Sequence, residues 1–404
     1  MMNRRMRWLA QLGCLCALLS GCASSGGPAE QATREMLDPA TSPRQALALE
    51  GRLMALAPES DRFLPEAFFP IGLYDVPEEA LPEIAAAGFN TVINGGKDAS
   101  YLARAQAVGL RVIPYMDTAH MAADVASAAG RRTLFAWYLF DEPDLNALPA
   151  REYLELVELF RAVESRRPIF LTVQSPDNYS AYVAGCDILA VDPYPIQHRE
   201  PELNDLRRVP QWIEAARAAA GPRPVWAILQ AFFAEPRWPR NPTPQELRAM
   251  VFMALNHRAS GILFFSYKSG DRPITQQAEL FPAIARLVGE INALRGPLLA
   301  PTTPVDFNME VLEEQIPAAA SKAPEDRAPL DCSLRPFLDA QLFIAVNPDS
   351  WKKTVRLSMP SSVMGKSLEE LFPDSPPQQP LTVPHSYPFS ITFEPFQTRI
   401  FWIR

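Results

Sequence analysis

The sequence predicts an α/β protein, a (β/α)8 TIM barrel over residues 65–300 followed by a small C-terminal β-sandwich-like domain over residues 301–404. Eight short apolar runs alternate with amphipathic segments between Phe69 and Leu298, as parallel strands covered by helices would. That stretch approaches the roughly 250 residues typical of such a barrel. Beyond it, helical periodicity fades and prolines become frequent. An open doubly wound sheet is the alternative, but it usually has fewer strands, and no Gly-x-Gly-x-x-Gly follows the first run.

The N-terminal segment predicts export and a lipid anchor. Several arginines precede an apolar run that is too short to span a bilayer, which is typical of a signal peptide, here residues 1–21. The next residues, Leu19-Ser20-Gly21-Cys22, resemble the bacterial lipobox, and this resemblance implies lipidation of Cys22. Ala23, where an aspartate would signal retention at the inner membrane, implies the outer membrane. An ordinary signal peptide with an incidental cysteine is the alternative. Residues 22–64 form the lipidated tether and lead-in segment.

Charge and cysteine content restrict the partners and the covalent links. The formal net charge is −8 and no dense Lys/Arg block occurs, so we expect no nucleic-acid partner. No second long apolar stretch follows, so membrane contact is expected through the N-terminal lipid only. Beyond Cys22 only Cys186 and Cys332 remain, in different predicted domains. A single disulfide is open to them, but we expect burial as small apolar side chains.

The apolar runs define the predicted strands of both domains. In the barrel they are 70–74, 90–94, 111–115, 134–140, 169–173, 188–191, 225–229 and 261–265. Gly88, Gly109 and Gly221 stand where helices between these runs would end. Residues 151–163 predict a helix with Leu154, Leu156, Val157, Leu159, Phe160 and Val163 against the barrel. Predicted strands of the C-terminal domain are 341–346, 353–357, 390–393 and 399–403, with a loop over 316–330.

Polar residues follow every apolar run of the barrel, where functional residues of this fold lie. They are Tyr74, Asp75, Asn94, Tyr115, Asp117, Asp141, Glu142, Gln174, Asp192, Tyr194, Gln230, Ser266, Tyr267 and Lys268. Strand ends that simply emerge into water are the alternative. Polar residues at all eight ends favour a working pocket.

The sharpest local feature is Trp137-Tyr138-Leu139-Phe140-Asp141-Glu142-Pro143-Asp144. A carboxyl group beside apolar side chains and a second acid can keep its proton near neutral pH and deliver it to a leaving oxygen. The alternative is the first turn of a surface helix, which acidic residues favour. Neighbouring strand residues point to opposite faces, so Asp141 and Glu142 can both enter the barrel only if the strand has already turned.

This run resembles the end of strand four in clan A glycoside hydrolases, which reads Asn-Glu-Pro. The resemblance implies that Glu142 is the general acid/base and that Asp141 replaces the asparagine that holds a sugar 2-hydroxyl. The family's nucleophilic glutamate follows strand seven, where this sequence has Gln230, an amide that cannot serve. Asp192 is the best substitute for this carboxylate, although a turn formed by Asp192-Pro193 explains the aspartate equally well. Asp117, Asp75 and Glu235 are the less favoured candidates. The stretches 69–74 and 242–247 resemble uncharacterised bacterial barrel proteins placed near the glycosidases.

Aromatic residues supply flat faces that could stack on sugar rings, although each is more often a core residue. They are Tyr74, Tyr115, Trp137, Tyr194, Phe232, Phe233, Trp238 and Tyr267. Trp238 lies between arginines in a proline-rich loop and is expected to be exposed. The four histidines lack metal-ligand spacing, so we expect no metal and no cofactor.

The sequence therefore predicts an exported, lipid-anchored glycoside hydrolase that acts on oligo- or polysaccharide. Glu142 and Asp192 are the predicted catalytic residues. Predicted substrate contacts are Asp141, Tyr74, Asn94, Asp117, Tyr194, Gln230, Tyr267 and Trp238. A catalytically inactive, carbohydrate-binding surface lipoprotein is the alternative, and a structural envelope protein that assembles through its β domain is a third hypothesis.

Overall fold

A computed structural model describes residues 68–127, 131–300, 307–318, 329–373, 381–382 and 388–404. The predicted signal peptide, the lipidated Cys22 and the tether lie outside the described residues, as does most of the loop predicted over 316–330. Within the described part of the chain, no helix is long and apolar enough to cross a membrane.

Eight parallel strands form a closed barrel, which confirms the predicted fold class. They are β1 (Ile71–Tyr74), β2 (Thr91–Ile93), β3 (Arg111–Ile113), β4 (Trp137–Asp141), β5 (Ile169–Thr172), β6 (Ile188–Val191), β7 (Val225–Gln230) and β8 (Ile262–Phe265). Each strand except β3 pairs with the next along the chain, and β8 pairs with β1. Parallel bridges between Val112 and Leu134 and between Tyr115 and Tyr138 join β3 to β4 and close the ring.

Helices surround the barrel. They are α1 (Leu81–Ala86), α2 (Ala99–Ala107), α3 (Met121–Ser127), α4 (Ala150–Val163), α5 (Tyr179–Tyr182), α6 (Arg208–Ala220), α7 (Pro244–Asn256), α8 (Leu280–Ala293) and α9 (Arg295–Leu299). After β8, the short strands β9 (Lys268–Ser269) and β10 (Arg272–Pro273) form a ribbon. The predicted core face of α4 is wrong at Leu159 and Val163, which are 63% and 45% exposed. The six apolar residues spread over more than the one face that packs on the barrel, and Tyr153 and Phe160 lie at its centre.

Large side chains fill the lower part of the barrel and leave its carboxyl end open. Inward-facing residues alternate along the strands, and Tyr138, Phe170 and Trp226 form one buried cluster with their neighbours. The rings of Phe135 and Trp226 stack with centroids 6.3 Å apart. Gly72 faces the same interior, where a Cβ atom would lie 2.5 Å from Leu263 Cδ2. The lower part of the barrel interior is therefore densely packed.

The C-terminal domain consists of two antiparallel sheets, as predicted for a β-sandwich. Its strands are β11 (Asn308–Glu314), β12 (Asp331–Phe337), β13 (Ala340–Val346), β14 (Lys353–Ser358), β15 (Ser367–Leu371), β16 (Leu381–Thr382), β17 (Phe389–Phe393) and β18 (Thr398–Ile403). The sheets have the orders β11-β14-β17 and β12-β13-β18-β15-β16. The predictions for β13, β14, β17 and β18 are confirmed. β11, β12 and β15 were not predicted because their residues are largely polar or half-exposed.

The five-stranded sheet is buried on both faces. One face, with Phe343 and Phe401, packs inside the sandwich, and the other, with Leu342, Ile344 and Trp402, joins the core of the barrel. Helix α7 lies at this junction and is buried from Glu246 to Leu255. Arg248 of α7 donates to Glu290 Oε2 of α8 (2.9 Å) and to the Thr398 carbonyl oxygen of β18 (2.5 Å). Barrel and sandwich thus share one core.

The two cysteines beyond the N-terminal segment do not pair. Cys186 and Cys332 are both free thiols, as expected. Cys186 is buried beneath β6, and burial raises its pKa to about 12. This thiol therefore behaves as a small apolar side chain.

Candidate active site

A cavity of about 1030 Å³ opens at the carboxyl ends of the strands. Residues at or just beyond the carboxyl ends of all eight strands line it, so the whole rim of the barrel contributes. Of the predicted site residues it collects Tyr74, Asn94, Asp141, Glu142, Asp192, Tyr194 and Trp238. Most of the predicted site residues therefore line one pocket.

Both acids of the strand-four motif reach this cavity because the chain turns at that point. A register shift against β5 between Tyr138 and Asp141 inserts one extra residue into β4. Glu142 then adopts a φ of 41°, which is rare for a residue with a side chain. Neighbouring carboxylates that would otherwise point to opposite faces consequently line the same pocket.

Asp141 is held by a hydroxyl network on the barrel floor. The Tyr138 hydroxyl donates to Asp141 Oδ1 and lies 2.8 Å from Thr172 Oγ1. Tyr74 contacts the same threonine oxygen at 3.5 Å. Asp141 is open to the cavity on one side, and protein surrounds its carboxylate on the other sides. This loss of solvation raises the pKa of Asp141, although the hydrogen bond from Tyr138 lowers it in part.

Glu142 and Asp192 are neighbouring carboxyl groups, and each shifts the pKa of the other. Asp192 is 5% exposed and follows β6 in phase with the inward-facing Ala190. Burial, reinforced by the Glu142 carboxylate, raises the pKa of Asp192 well above its usual value. Burial also raises the pKa of Glu142, although the hydrogen bond from Asp192 and the charge of Arg237 oppose the rise. Because two neighbouring ionised carboxylates repel, the pair releases its last proton at a higher pH than an isolated carboxyl group would.

The expected role of Asp192 depends on its separation from Glu142. Retaining glycosidases hold their carboxyl groups about 5 to 5.5 Å apart, and inverting ones about 6.5 to 9.5 Å. Asp192 lines the same cavity as Glu142, and its role as the second catalytic carboxylate stays a prediction.

Gln230 does not line the cavity. Its side chain is fully buried, and its Oε1 accepts from the Ile196 backbone N–H at 3.0 Å. Its Nε2 donates to the carbonyl oxygens of Ile196 and Phe232, each at 3.3 Å. The amide therefore ties the loop after β6 to the end of β7, and its predicted sugar contact is not supported.

Two further predicted contacts also lie elsewhere. Asp117 is exposed outside the cavity, where its Oδ2 lies 2.7 Å from His120 Nδ1. Tyr267 is 7% exposed and packs into the core shared with the helices. Trp137 faces the same core rather than the pocket, since it points outward from β4. A position just after a strand predicts that a residue lies near the rim of the barrel, but it does not predict where the side chain points.

An aromatic wall stands opposite the acids. Tyr194, Phe232 and Trp238 pack edge to face, with Tyr194 ring centroids 5.1 Å from Phe232 and 5.9 Å from Trp238. Trp238 is half-buried rather than exposed, because these rings cover one side of it. Asp75 and Glu235, the remaining candidates for the second catalytic carboxylate, both have partners. Asp75 accepts a hydrogen bond from Asn94 Nδ2 at 2.6 Å, and Glu235 forms an ion pair with Arg199.

Sequence reasoning missed several residues of the cavity. Tyr138 and Thr172 were missed because they lie within strands, although both fall in the inward-facing phase. Arg208, Trp212 and Arg237 were missed because they belong to loops and helix starts beyond the strand ends. Among the described residues, no three His, Cys, Asp or Glu side chains gather in an arrangement that could hold a metal ion.

Comparison with known proteins identifies the fold and no family. No protein-family model and no curated protein matches the sequence. Among solved structures, a GH42 β-galactosidase from G. stearothermophilus aligns with a TM-score of 0.56 and 8% identity, over 86% of this chain and 100% of that one. An α-amylase from Geobacillus thermoleovorans, complexed with acarbose, aligns at 0.53 and 11% identity over 84% and 98%. A maltogenic α-amylase from Thermotoga neapolitana aligns at 0.50 and 11% identity over 85% and 99%. The chain shares the fold of these structures, a (β/α)8 barrel followed by a C-terminal β domain.

Proposed function

We propose that the protein is a glycoside hydrolase in which Glu142 donates the proton to the leaving oxygen. The observation that carries this proposal is that two neighbouring carboxyl groups, Glu142 and Asp192, line one large open cavity, where burial raises the pKa of both. An acid with a raised pKa is protonated where most carboxylates are ionised, as general acid catalysis requires.

The other groups of the cavity have complementary tasks in this proposal. As Glu142 protonates the glycosidic oxygen and the bond to the anomeric carbon breaks, the neighbouring Asp141 stabilises the positive charge that develops there. A water molecule then adds to the anomeric carbon, and its proton returns to the pair, so the enzyme ends as it began. The aromatic wall of Tyr194 and Trp238 would hold the sugar rings.

The test compares leaving groups of different acidity. Glu142→Gln should lower kcat/KM by about 10²- to 10⁴-fold on an aryl glycoside with a poor leaving group, the usual contribution of a general acid. With a dinitrophenyl leaving group, which needs no proton, the loss should be much smaller. Glu235→Gln removes a carboxylate that lines the same cavity but is paired with Arg199, and it should retain activity on both substrates. Equal losses on both leaving groups would contradict the assignment of Glu142.

A carbohydrate-binding protein without turnover is the second candidate. Gln230 favours it, since the resemblance implies a nucleophilic carboxylate there and this chain has a buried amide. Wild type and Glu142→Gln would then bind glycans alike, and neither would release reducing sugar. Release by wild type alone excludes this candidate.

We further propose that the protein is anchored in the bacterial cell envelope through lipid on Cys22, at the outer membrane. The lipobox-like Leu19-Ser20-Gly21-Cys22 supports this proposal. Metabolic labelling with a fatty acid tests it, because wild type should incorporate label and Cys22→Ala should not. Equal labelling of the two proteins would refute it.

A further inference from the structure

Two arginines line the cavity without a carboxylate partner. Arg208, at the start of α6, is half-buried, and Arg237 lies in the loop after β7. Within the part of the chain that the structure describes, neither forms an ion pair with an acidic side chain. Arg208 Nη1 donates to the Tyr194 carbonyl oxygen at 3.2 Å, and the Arg237 guanidinium lies 4.8 Å from the Trp238 ring centroid. Most of their N–H donors are therefore free for a ligand.

The surrounding arginines behave differently. Arg199 pairs with Glu235, Arg207 with Asp349 at 2.7 Å, and Arg240 with Glu246 at 2.6 Å. Each of these belongs to the same loops or helix starts as the unpaired two. The structure thus pairs the guanidinium groups around the cavity mouth with carboxylates and, among the described residues, leaves Arg208 and Arg237 in the cavity without an ion pair.

These two guanidinium groups also act on each other. Burial lowers the pKa of Arg208, the negative charge of Asp205 raises it, and the positive charge of Arg237 lowers it further. Asp205 lies 3.6 Å from Arg207 in an ion pair of its own. Two cations that repel one another across a cavity form a site that an anion would stabilise, since an anion between them replaces repulsion by two charge-assisted contacts.

We infer that the substrate of the proposed hydrolase is a sugar acid, a glycan whose carboxylate binds between Arg208 and Arg237. The inference rests on the proposed function. Guanidinium groups match the planar carboxylate in shape as well as in charge. A neutral sugar would leave both of them to water.

The acids of the cavity are accounted for separately. Glu142 and Asp192 form the carboxyl pair, Glu235 is compensated by Arg199, and Asp141 lies on the strand-four side. Asp271 also lines the cavity, and the cation of Lys268 from the same ribbon lines it as well. Arg237 is near enough to Glu142 to lower its pKa. The charged group would consequently sit on a sugar beside the bond that is cleaved, so it would affect both recognition and rate.

Binding to a catalytically silent protein tests the inference. Glu142→Gln is titrated by calorimetry with oligosaccharides that contain glucuronate or galacturonate, and with the methyl esters of the same oligosaccharides. The acids should bind at least tenfold more tightly than the esters, and added salt should reduce the difference. Adding Arg208→Gln or Arg237→Gln should remove most of that preference. Arg151→Gln, an equal charge change on the outer surface of α4, is the matched control and should preserve it.

The outcomes separate the inference from the function beneath it. Equal affinity for acids and esters, or a preference that survives both arginine variants, overturns the sugar-acid assignment and leaves the hydrolase proposal standing. If the enzyme cleaves neutral aryl glycosides and cleaves aryl uronides no faster, the sugar-acid assignment is likewise overturned and the hydrolase proposal stands. If neither set binds and neither is cleaved by a folded protein, both proposals fail.

Discussion

Asp192→Asn should remove a pH dependence from the stability of the folded protein. Asp192 is buried against Glu142, and burial raises its pKa well above its usual value. The folded chain therefore holds a proton that the unfolded chain, with a pKa of about 3.9, has already released. Stability from this group is fully present below about pH 4 and is lost as the pH rises through the folded pKa.

The magnitude follows from linkage. Between the unfolded and the folded pKa, one retained proton lowers the free energy of unfolding by about 1.4 kcal/mol for each pH unit. Over the part of the range from pH 5 to pH 7 that lies below the folded pKa, the wild type should lose free energy of unfolding at about this rate relative to Asp192→Asn. The asparagine keeps the size of the side chain, and its amide can donate to the Glu142 carboxylate without a titrating proton.

Urea denaturation at pH 5, 6 and 7 measures this difference. The free energies of unfolding of the two proteins should diverge steadily as the pH rises, because that of the wild type falls relative to that of the variant. Asp177→Asn removes an exposed carboxylate at the same end of the barrel and should differ from the wild type by a constant amount. If Asp192→Asn also differs by a constant amount across the three pH values, the shared proton does not exist and the assignment of the pair is wrong.

Three other substitutions test the packing that surrounds the site. Gln230→Glu should destabilise the protein by about 1 to 3 kcal/mol in urea denaturation and should not increase hydrolysis, because a carboxylate there would face the Ile196 and Phe232 carbonyl oxygens; a gain in activity would contradict this. Gly72→Ala should cost about 1 to 3 kcal/mol, since its Cβ would meet Leu263 Cδ2 at 2.5 Å, and an unchanged melting temperature would show that the barrel can yield. Arg248→Met should cost about 3 kcal/mol by leaving the buried Glu290 with less compensation, and a neutral effect in the same assay would mean that Arg286 suffices.

The barrel could be predicted from the sequence because its strands are continuous apolar runs between short polar turns. All eight appear within a few residues of their observed bounds, from Ile71–Tyr74 to Ile262–Phe265. The outer strands of the sandwich could not, since β11 is largely polar and its pairing with β14 is a tertiary contact. A strand is recognised in a sequence by its buried apolar residues, and the residues of β11 are scarcely buried.

The site was predicted in part for a similar reason. Glu142 and Asp192 follow inward-facing positions, so strand phase brings them to one cavity, and the turn at Glu142 adds Asp141. Gln230 is also in phase, but the backbone of the loop after β6 captures its amide. Such a capture depends on the path of a loop, which no periodicity in the sequence encodes. The contribution of Arg208 and Arg237 depends on loops in the same way.

The sheet that is buried on both faces limits how this chain can be recombined with others. Leu342, Ile344 and Trp402 belong to the barrel's core as much as to the sandwich. A barrel cut off after residue 300 would present the apolar side of α7 to water and would be prone to aggregate. A transplanted sandwich would carry its own uncovered sheet. In a chimera, the piece to exchange is therefore barrel and sandwich together, and new specificity has to be introduced through the loops at the open end of the barrel.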